Sequence, residues 1–147
     1  MQISDFSVPD TTAARGARTL VADFHTPALA NHVVRSWLWA EAFAVIDGFT
    51  GIDHELLYTA ALLHDIGLAP EFDNHLLGYE EAGGFVCEAV TAGAGWPRER
   101  RRRVNAVIVR HNWPEVDPAI DVEGHLLEIA TGLDISGARP DALPAEF

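Results

Sequence analysis

A histidine and an aspartate, His64 and Asp65, stand side by side directly after the apolar run 60–63. Adjacent polar side chains at the end of a core-facing helix cost free energy unless something there needs both of them. Neighbouring residues point in different directions within a regular helix, so both can bind one ion only where the helix ends, as Gly67 indicates. The pair therefore predicts a helix end that chelates a metal ion.

Three of the seven histidines lie on predicted helices beside apolar residues, namely His32, His64 and His111. Helical bundles build metal sites from inward-facing residues on different helices, so His32, His64, Asp65 and Asp134 form a natural ligand set. Two nitrogens and two carboxylate oxygens suit Zn²⁺, Fe²⁺ or Mn²⁺ and do not suit Cu⁺. From spacing alone, the same residues could equally be polar side chains that are hydrogen-bonded within a helical core and bind no metal.

Helical periodicity extends along the whole chain, and no segment alternates as a strand does, which predicts an all-α fold. Asp10 and Asp53 are expected to cap helices, and Pro27 and Pro97 suit first helical turns. The fourth helix is expected to begin after a cap at Asp73 or Asn74. Helices are predicted at about 11–24, 27–46, 53–67, 73–90, 97–111 and 123–135.

The 147 residues are enough for one domain with a substantial core, so we expect a single domain over 1–147. Its ends, 1–10 and 138–147, are expected to be flexible. No apolar run reaches the roughly 18 residues that span a bilayer, and the first residues lack the features of a signal peptide. We therefore expect a cytoplasmic protein that does not associate with membranes.

The formal charge is −12, and there is no lysine. Such a surface repels phosphate backbones, so nucleic-acid binding is not expected, and the arginines at 98–103 are interpreted as a solvated helix face. The single cysteine, Cys87, excludes an internal disulfide and a cysteine zinc cluster. Any metal must then be held by histidines and carboxylates.

The order of His32, His64-Asp65 and Asp134 resembles the HD superfamily, which is named for the adjacent pair. Segments 27–35, 56–68 and 79–84 are most similar to its cyanamide hydratase branch, and the resemblance covers about 25–137. It implies a helical bundle of about six helices around a metal site. It also implies that these four residues bind one divalent ion, with zinc as first choice and iron or manganese as alternatives.

The resemblance also implies roles for residues near the metal. Asp65 would hold the ion and orient a water, and Glu80 would carry a proton. His111 follows a run of apolar residues and is expected to face the same cavity as a substrate-binding group or proton carrier. Arg35, one turn after His32, is expected to pair with a ligand carboxylate from outside the ligand set.

A divalent ion with an open position activates water for hydration or hydrolysis of a small molecule. Leu68 stands where many superfamily phosphohydrolases have a basic residue, so hydration of an uncharged, nitrile-like molecule such as cyanamide is favoured. A phosphohydrolase for a nucleotide or phosphomonoester, an oxygenase, and a non-catalytic metal-binding regulatory module are the alternatives. Exposed tryptophans also allow a homodimer.

Overall fold

The computed structural model describes residues 2–143, which form six α-helices and three short 3₁₀ turns. The helices are α1 (Thr12–Phe24), α2 (Pro27–Ile46), α3 (His54–Leu63), α4 (Tyr79–Gly93), α5 (Arg98–Arg110) and α6 (Val122–Ser136). The 3₁₀ turns are Ile3–Asp5, Ile66–Leu68 and Pro140–Ala142. No strand occurs in this part of the chain, and the predicted all-α fold is confirmed. Nor does any helix within 2–143 have the length and apolar character needed to cross a bilayer.

Side-chain caps fix where most of the helices begin. Thr11, rather than the predicted Asp10, caps α1 by accepting a hydrogen bond from the backbone N–H of residue 14 (3.2 Å). Asp53 caps α3 and Asp121 caps α6 in the same way, at 3.0 and 2.7 Å. Pro27 occupies the first turn of α2 as expected.

The fourth helix begins later than the sequence pattern indicates, at Tyr79 instead of after Asp73 or Asn74. The side-chain oxygen of Asn74 accepts hydrogen bonds from the backbone N–H groups of Leu76 and Leu77 (2.9 and 2.7 Å). Such a local turn competes with a helix for the same backbone donors. The predicted start was wrong for this reason, and α4 also extends past the predicted end at residue 90.

Helix α3 lies at the centre of the bundle and contacts α1, α2, α4, α5 and α6. All of its residues from 56 to 63 are buried. Helix α2 packs along α6, and α4 packs along α5, so these two pairs enclose α3. The chain that follows α3 therefore starts inside the protein, and this is where His64 and Asp65 lie.

The arginines of α5 make ion pairs with the first turns of two other helices. Arg100 binds the capping residue Asp53 (2.7 Å), and both Arg103 and Arg110 bind the capping residue Asp121. We call this group the arginine cluster, and it also includes Glu55 and Glu123. The face that was expected to be solvated thus connects α5 to α3 and α6.

The chain after α6 remains in contact with the bundle over its described part. Arg139 pairs with Asp47, the residue directly after α2 (3.6 Å), and Leu143 packs against the core. The predicted flexible ends, 1–10 and 138–147, include Met1 and residues 144–147, which lie outside the described range. Flexibility of these ends stays a prediction.

Candidate metal centre

Helix α3 ends at Leu63, and the His64-Asp65 pair forms the exit from it. His64 still has helical backbone angles, whereas Asp65 has left the helix (φ −104°, ψ 8°). This change of direction brings His64 Nε2 to 3.4 Å from Asp65 Oδ2. The helix end that the sequence predicts is present, three residues earlier than the predicted limit near Ile66.

Two glycines let α4 pack directly against this turn. A Cβ on Gly67 would lie 2.0 Å from the carbonyl oxygen of Tyr79, and a Cβ on Gly83 would lie 3.2 Å from that of His64. Any larger residue at position 67 would push α4 away from the turn. The position of the His64-Asp65 pair therefore depends on close backbone contact with α4.

His32 from α2 completes, with the pair, a group of three buried side chains that could hold a metal ion. Its Nε2 lies 3.1 Å from His64 Nε2 and 3.5 Å from Asp65 Oδ2. Ligand atoms about 2.1 Å from one tetrahedral zinc ion lie about 3.4 Å from one another. The three atoms therefore fit a single divalent ion, and a metal site formed by these residues is consistent with their spacing.

Backbone and carboxylate acceptors fix which nitrogen of each ring carries hydrogen. His64 Nδ1 donates to the carbonyl oxygen of Ala61 (2.7 Å), and His32 Nδ1 donates to Asp134 (2.6 Å). The two Nε2 atoms, 3.1 Å apart, then face each other as lone pairs. Two lone pairs that face each other repel. A cation bound to both nitrogens would offset that repulsion, so these side chains suit a metal ion.

Burial decides the charge state of these groups. Burial holds the pKa of His64 well below its ordinary value. The nearby charge of His111 also lowers this pKa, whereas the hydrogen bond to Ala61 raises it. Burial also lowers the pKa of His111, although the carbonyl of Ile108 opposes this. The pKa of Asp65 is raised by burial and lowered in part by His111. Both imidazoles are therefore neutral near pH 7, as metal ligands and proton acceptors must be.

His111 caps the C-terminal end of α5 and faces the same point from the other side. Its Nδ1 donates to the carbonyl oxygen of Ile108, so its Nε2 is free to accept a proton. That Nε2 lies 3.7 Å from Asp65 Oδ1 and 3.4 Å from the hydroxyl of Tyr79. The structure thus places His111 beside His64, with the centroids of the two rings 4.6 Å apart.

Glu80, the other predicted proton carrier, points elsewhere. A Cβ on Gly78 would lie 2.8 Å from each of its carboxylate oxygens, so the carboxylate lies beside the start of α4. Glu80 does not line the cavity next to the metal ligands, whereas the preceding residue, Tyr79, does. Successive helix residues differ by about 100° in direction, so Tyr79 and Glu80 face different sides of α4, and a role for Glu80 in proton transfer stays a prediction.

Asp134 lies behind His32, on the side of the ring away from His64 and Asp65. Its Oδ2 accepts from His32 Nδ1 (2.6 Å) and from Arg35 Nη2 (2.8 Å), and its Oδ1 accepts from Arg35 Nε (2.6 Å) and Trp39 Nε1 (3.0 Å). Burial acts against its charge, but the hydrogen bonds from Arg35, His32 and Trp39 hold the pKa of Asp134 far below its usual range. Arg35 thus binds the carboxylate as expected, and Asp134, the predicted fourth ligand, contacts His32 through the ring nitrogen that points away from His64.

A cavity of about 450 Å³ opens from the ligands to the surface. Leu68, Trp113 and Ile135 form apolar parts of its wall, and each is exposed to solvent over about half of its surface or more. Glu128 adds a carboxyl group whose pKa is raised by burial. Among the described residues that line the cavity, none is an arginine. The cavity therefore suits a small uncharged molecule better than an anion.

Sequence reasoning missed Tyr79 and Trp39 as residues of this region. Tyr79 precedes Glu80, and only the true start of α4 reveals which of them faces the cavity. Trp39 is four residues after Arg35, the spacing that places two side chains on one helix face. That spacing is the signal that could have identified Trp39 as a second donor to the carboxylate.

Comparison with known proteins identifies a family and two relatives that resemble this chain. A model of the HD domain family matches residues 29–134. Cyanamide hydratase DDI2 and cyanamide hydratase DDI3 of Saccharomyces cerevisiae are each 30% identical to the chain over 142 residues, which is 92% of this chain. The chain spans 61% of the length of each of these relatives.

Proposed function

Because this chain belongs to the HD domain family, we propose that it is a metal-dependent enzyme that hydrates a small, uncharged nitrile-type molecule, with cyanamide favoured. The observation that carries the proposal is the group of His32, His64 and Asp65, whose ligand atoms lie 3.1–3.5 Å apart next to a cavity. One divalent ion, zinc by preference, would be held there. When bound, it supplies the Lewis acidity that lowers the pKa of water and polarises the substrate.

The protein's own groups provide for the movement of the proton. His111 Nε2 accepts the proton of the attacking water, because Nδ1 is already committed to the backbone. The hydroxyl oxygen of Tyr79 lies 3.4 Å from the same Nε2 and would accept a hydrogen bond from the ring once His111 has taken up the proton. Burial raises the pKa of Tyr79, so the hydroxyl keeps its hydrogen. The water oxygen bonds to the nitrile carbon, and its proton goes by way of His111 to the nitrile nitrogen.

The charge of the site supports an uncharged substrate over a phosphate ester. Transfer of a phosphoryl group needs positive charge beyond one metal ion. Arg35 is bound to Asp134, and Arg110 is bound to Asp121. With no lysine in the sequence, the described residues around the cavity offer no further cation for a phosphate.

The cavity is also larger than cyanamide, which has three heavy atoms. A volume of about 450 Å³ holds many such molecules, since one water occupies about 30 Å³. The apolar side chains Leu68, Trp113 and Ile135 can bind a substituent on the nitrile carbon. We therefore include nitriles that carry alkyl and aryl groups in the proposed substrate class.

The test combines metal analysis with activity. Protein purified without added metal or chelator is measured by inductively coupled plasma mass spectrometry and assayed with cyanamide, a series of nitriles and a phosphomonoester. We expect about one zinc per chain, with hydration faster than ester hydrolysis. Asp65→Asn should lose both metal and activity, whereas the exposed Asp23→Asn should change neither.

His111→Gln distinguishes proton transfer from metal binding. We expect it to keep the metal and to lose roughly 100-fold in turnover, the usual contribution of one acid–base group. The exposed His75→Gln is its matched control. Two irons per chain, or faster turnover of the phosphomonoester, would contradict the proposal, and full metal occupancy without any turnover would favour a regulatory module.

A further inference from the structure

A second cavity, of about 650 Å³, lies at the opposite end of α3 from the metal centre. Cavities that bind small molecules have volumes of roughly 300–1,000 Å³. Among the described residues, no side chain lines both this cavity and the one beside the metal ligands. The second cavity is lined by residues of the N-terminal segment, of α2 and of the start of α3, namely Asp5, Phe6, Ser7, Glu41, Val45 and His54.

Glu41 brings a buried carboxylate to the wall of this cavity. Its side chain is only 9% exposed, and glutamate is seldom buried to this extent unless it is paired. Trp37 Nε1 donates to its Oε1 (3.2 Å), and His54 Nδ1 lies 3.0 and 2.9 Å from its two oxygens. A carboxylate has about four lone-pair positions, and these two N–H groups of the described residues occupy only part of them. Glu41 therefore retains the capacity to accept further hydrogen bonds.

The two donors hold the carboxylate of Glu41 in a fixed position. Trp37 is buried on the same helix, and its ring packs edge-on against that of Tyr58 on α3, with the centroids 5.1 Å apart. His54 is the first residue of α3. The carboxylate is thus fixed between two helices, and a group that is already in place loses little conformational entropy when a ligand binds.

The remaining lining residues favour a cation that carries an apolar group. Asp5 adds a second carboxylate, no arginine lines the described part of the cavity, and the formal charge of the chain is −12, so the cavity attracts positive charge. Phe6 and Val45 add apolar surface. A bare metal ion suits the cavity less well, because among the described residues the metal centre is the only group of three or more ligands close enough together to hold one.

We propose that this cavity is a second binding site, which takes a small primary amine with an apolar substituent and binds its ammonium group through Glu41. An ammonium group has three N–H donors for the acceptor positions that Glu41 retains, and the substituent lies against Phe6 and Val45. The inference goes beyond the proposed function and does not depend on it. Glu41 and His32 are nine residues apart on α2, which corresponds to about 14 Å along the helix.

The test uses 2-phenylethylamine, which is protonated at pH 7, and two molecules of similar shape. These are 2-phenylethanol, which is uncharged, and phenylacetate, which is negative. Each is titrated into the purified protein while the backbone and indole N–H signals are followed by NMR. We expect the amine to shift the signals of Trp37, Val45 and His54, and to leave those of Thr131 and Gly132, which line the other cavity, unchanged. The alcohol should bind about 10-fold more weakly, and the acid should not bind.

Two variants and their matched controls test the role of the carboxylate. Glu41→Gln removes the charge and keeps the shape, so we expect affinity for the amine to decrease by about 10-fold or more, whereas the exposed Glu71→Gln should bind as the wild type does. Val45→Lys adds a competing ammonium group at a position that is 61% exposed, and it should also weaken binding. Its control is Ile120→Lys, which has the same net charge, is 77% exposed and lies at neither cavity.

The outcomes are distinct. Equal affinity for the amine and the alcohol would overturn the inference, as would wild-type affinity in Glu41→Gln. If Glu41→Gln does not fold, wild-type affinity in Val45→Lys has the same consequence. Shifts at Thr131 and Gly132 alone, or no saturable shift up to about 10 mM amine, would also overturn it. A protein that hydrates no nitrile would end the proposed function and leave the amine site standing, and a failure to bind amine would leave the metal centre unaffected.

Discussion

The metal centre and the arginine cluster are both partly buried groups of charged side chains, yet they differ in how their charges are balanced. In the arginine cluster, Asp53 binds Arg100, and Asp121 binds both Arg103 and Arg110. At the metal centre, Asp65 faces ring nitrogens that donate their hydrogens elsewhere. Breaking an ion pair of the arginine cluster would leave a buried charge without its partner, whereas the arrangement around Asp65 suits a bound cation.

The same carboxylate chemistry therefore serves two purposes in one small bundle. The arginine cluster connects the beginnings of α3 and α6 to α5, and the metal centre lies at the end of α3. The position of acidic residues in the sequence does not reveal which purpose each of them serves. The identity of the groups that face them in the folded chain does.

The largest expected difference between the two regions is the response to metal. A ligand present at 1,000 times its dissociation constant stabilises the folded state by about 4 kcal/mol. We expect zinc to raise the free energy of unfolding of the wild type by about this amount, and Asp65→Asn to abolish the effect. In Arg103→Ala, zinc should stabilise the folded state as much as it does in the wild type. Urea unfolding with zinc and with a chelator measures this, and an equal response in the wild type and Asp65→Asn would contradict it.

The next effect concerns the close packing beside the metal ligands. Gly67→Ala places a methyl group on the carbonyl oxygen of Tyr79, and the shift this forces should destabilise the protein by about 3 kcal/mol. Gly93→Ala is the control, because no atom lies within 4 Å of the added methyl group, and it should be neutral or slightly stabilising. Thermal unfolding of the two variants provides the comparison, and equal behaviour would disprove the tight contact.

A smaller effect is expected in the arginine cluster. Arg103→Ala removes a partner from the buried acids Asp121 and Glu123, which should cost about 2 kcal/mol. Arg102→Ala, on the exposed side of α5, should change the stability little. Metal affinity should be the same in both variants. A change of metal affinity in Arg103→Ala would show that the two regions are coupled.

The smallest effect is a dependence of stability on pH in the metal-free protein. The pKa of His64 is lowered in the folded state, so the unfolded chain binds more protons once the pH falls below the ordinary value of 6.5. Stability is therefore complete above that pH and decreases below it, by about 1 kcal/mol per pH unit for one such histidine. The pKa of Asp53 is lowered by its bonds to Arg100 and Leu56 despite burial, so the arginine cluster responds only at lower pH. Urea unfolding in chelator at pH 7.5, 6.5 and 5.5 tests this, with His64→Ala expected to show a smaller slope.

Much of the fold was predictable because local rules determine it. Helical periodicity and Pro27 located α2 within a residue or two, and the apolar run before His64 predicted a buried helix that ends at the pair. The start of α4 was not predictable in this way. It depends on the turn at Asn74 and on contact between Gly67 and Tyr79, two residues on different elements.

The site was predictable only in part for a similar reason. His32, His64 and Asp65 could be identified from their types and order, since a metal requires those donors. Arg35 was expected to pair with a ligand carboxylate, but the contact of Trp39 with Asp134 was not foreseen, because about a hundred residues separate the two in the sequence. The order of residue types indicates which side chains are able to bind an ion. Which hydrogen-bond donors already occupy each side chain is known only from the folded chain.

The contact between Gly67 and Tyr79 also has an evolutionary consequence. It closes the segment 69–78 into a loop whose two ends meet at the ligand turn, while its middle, at Leu76, is 93% exposed. Phe72 packs on Phe24, but the exposed part around Leu76 can gain, lose or exchange residues without displacing either end, since closing a longer loop adds little free energy. Residues that recognise other molecules can be added to this loop while His64 and Asp65 stay in place.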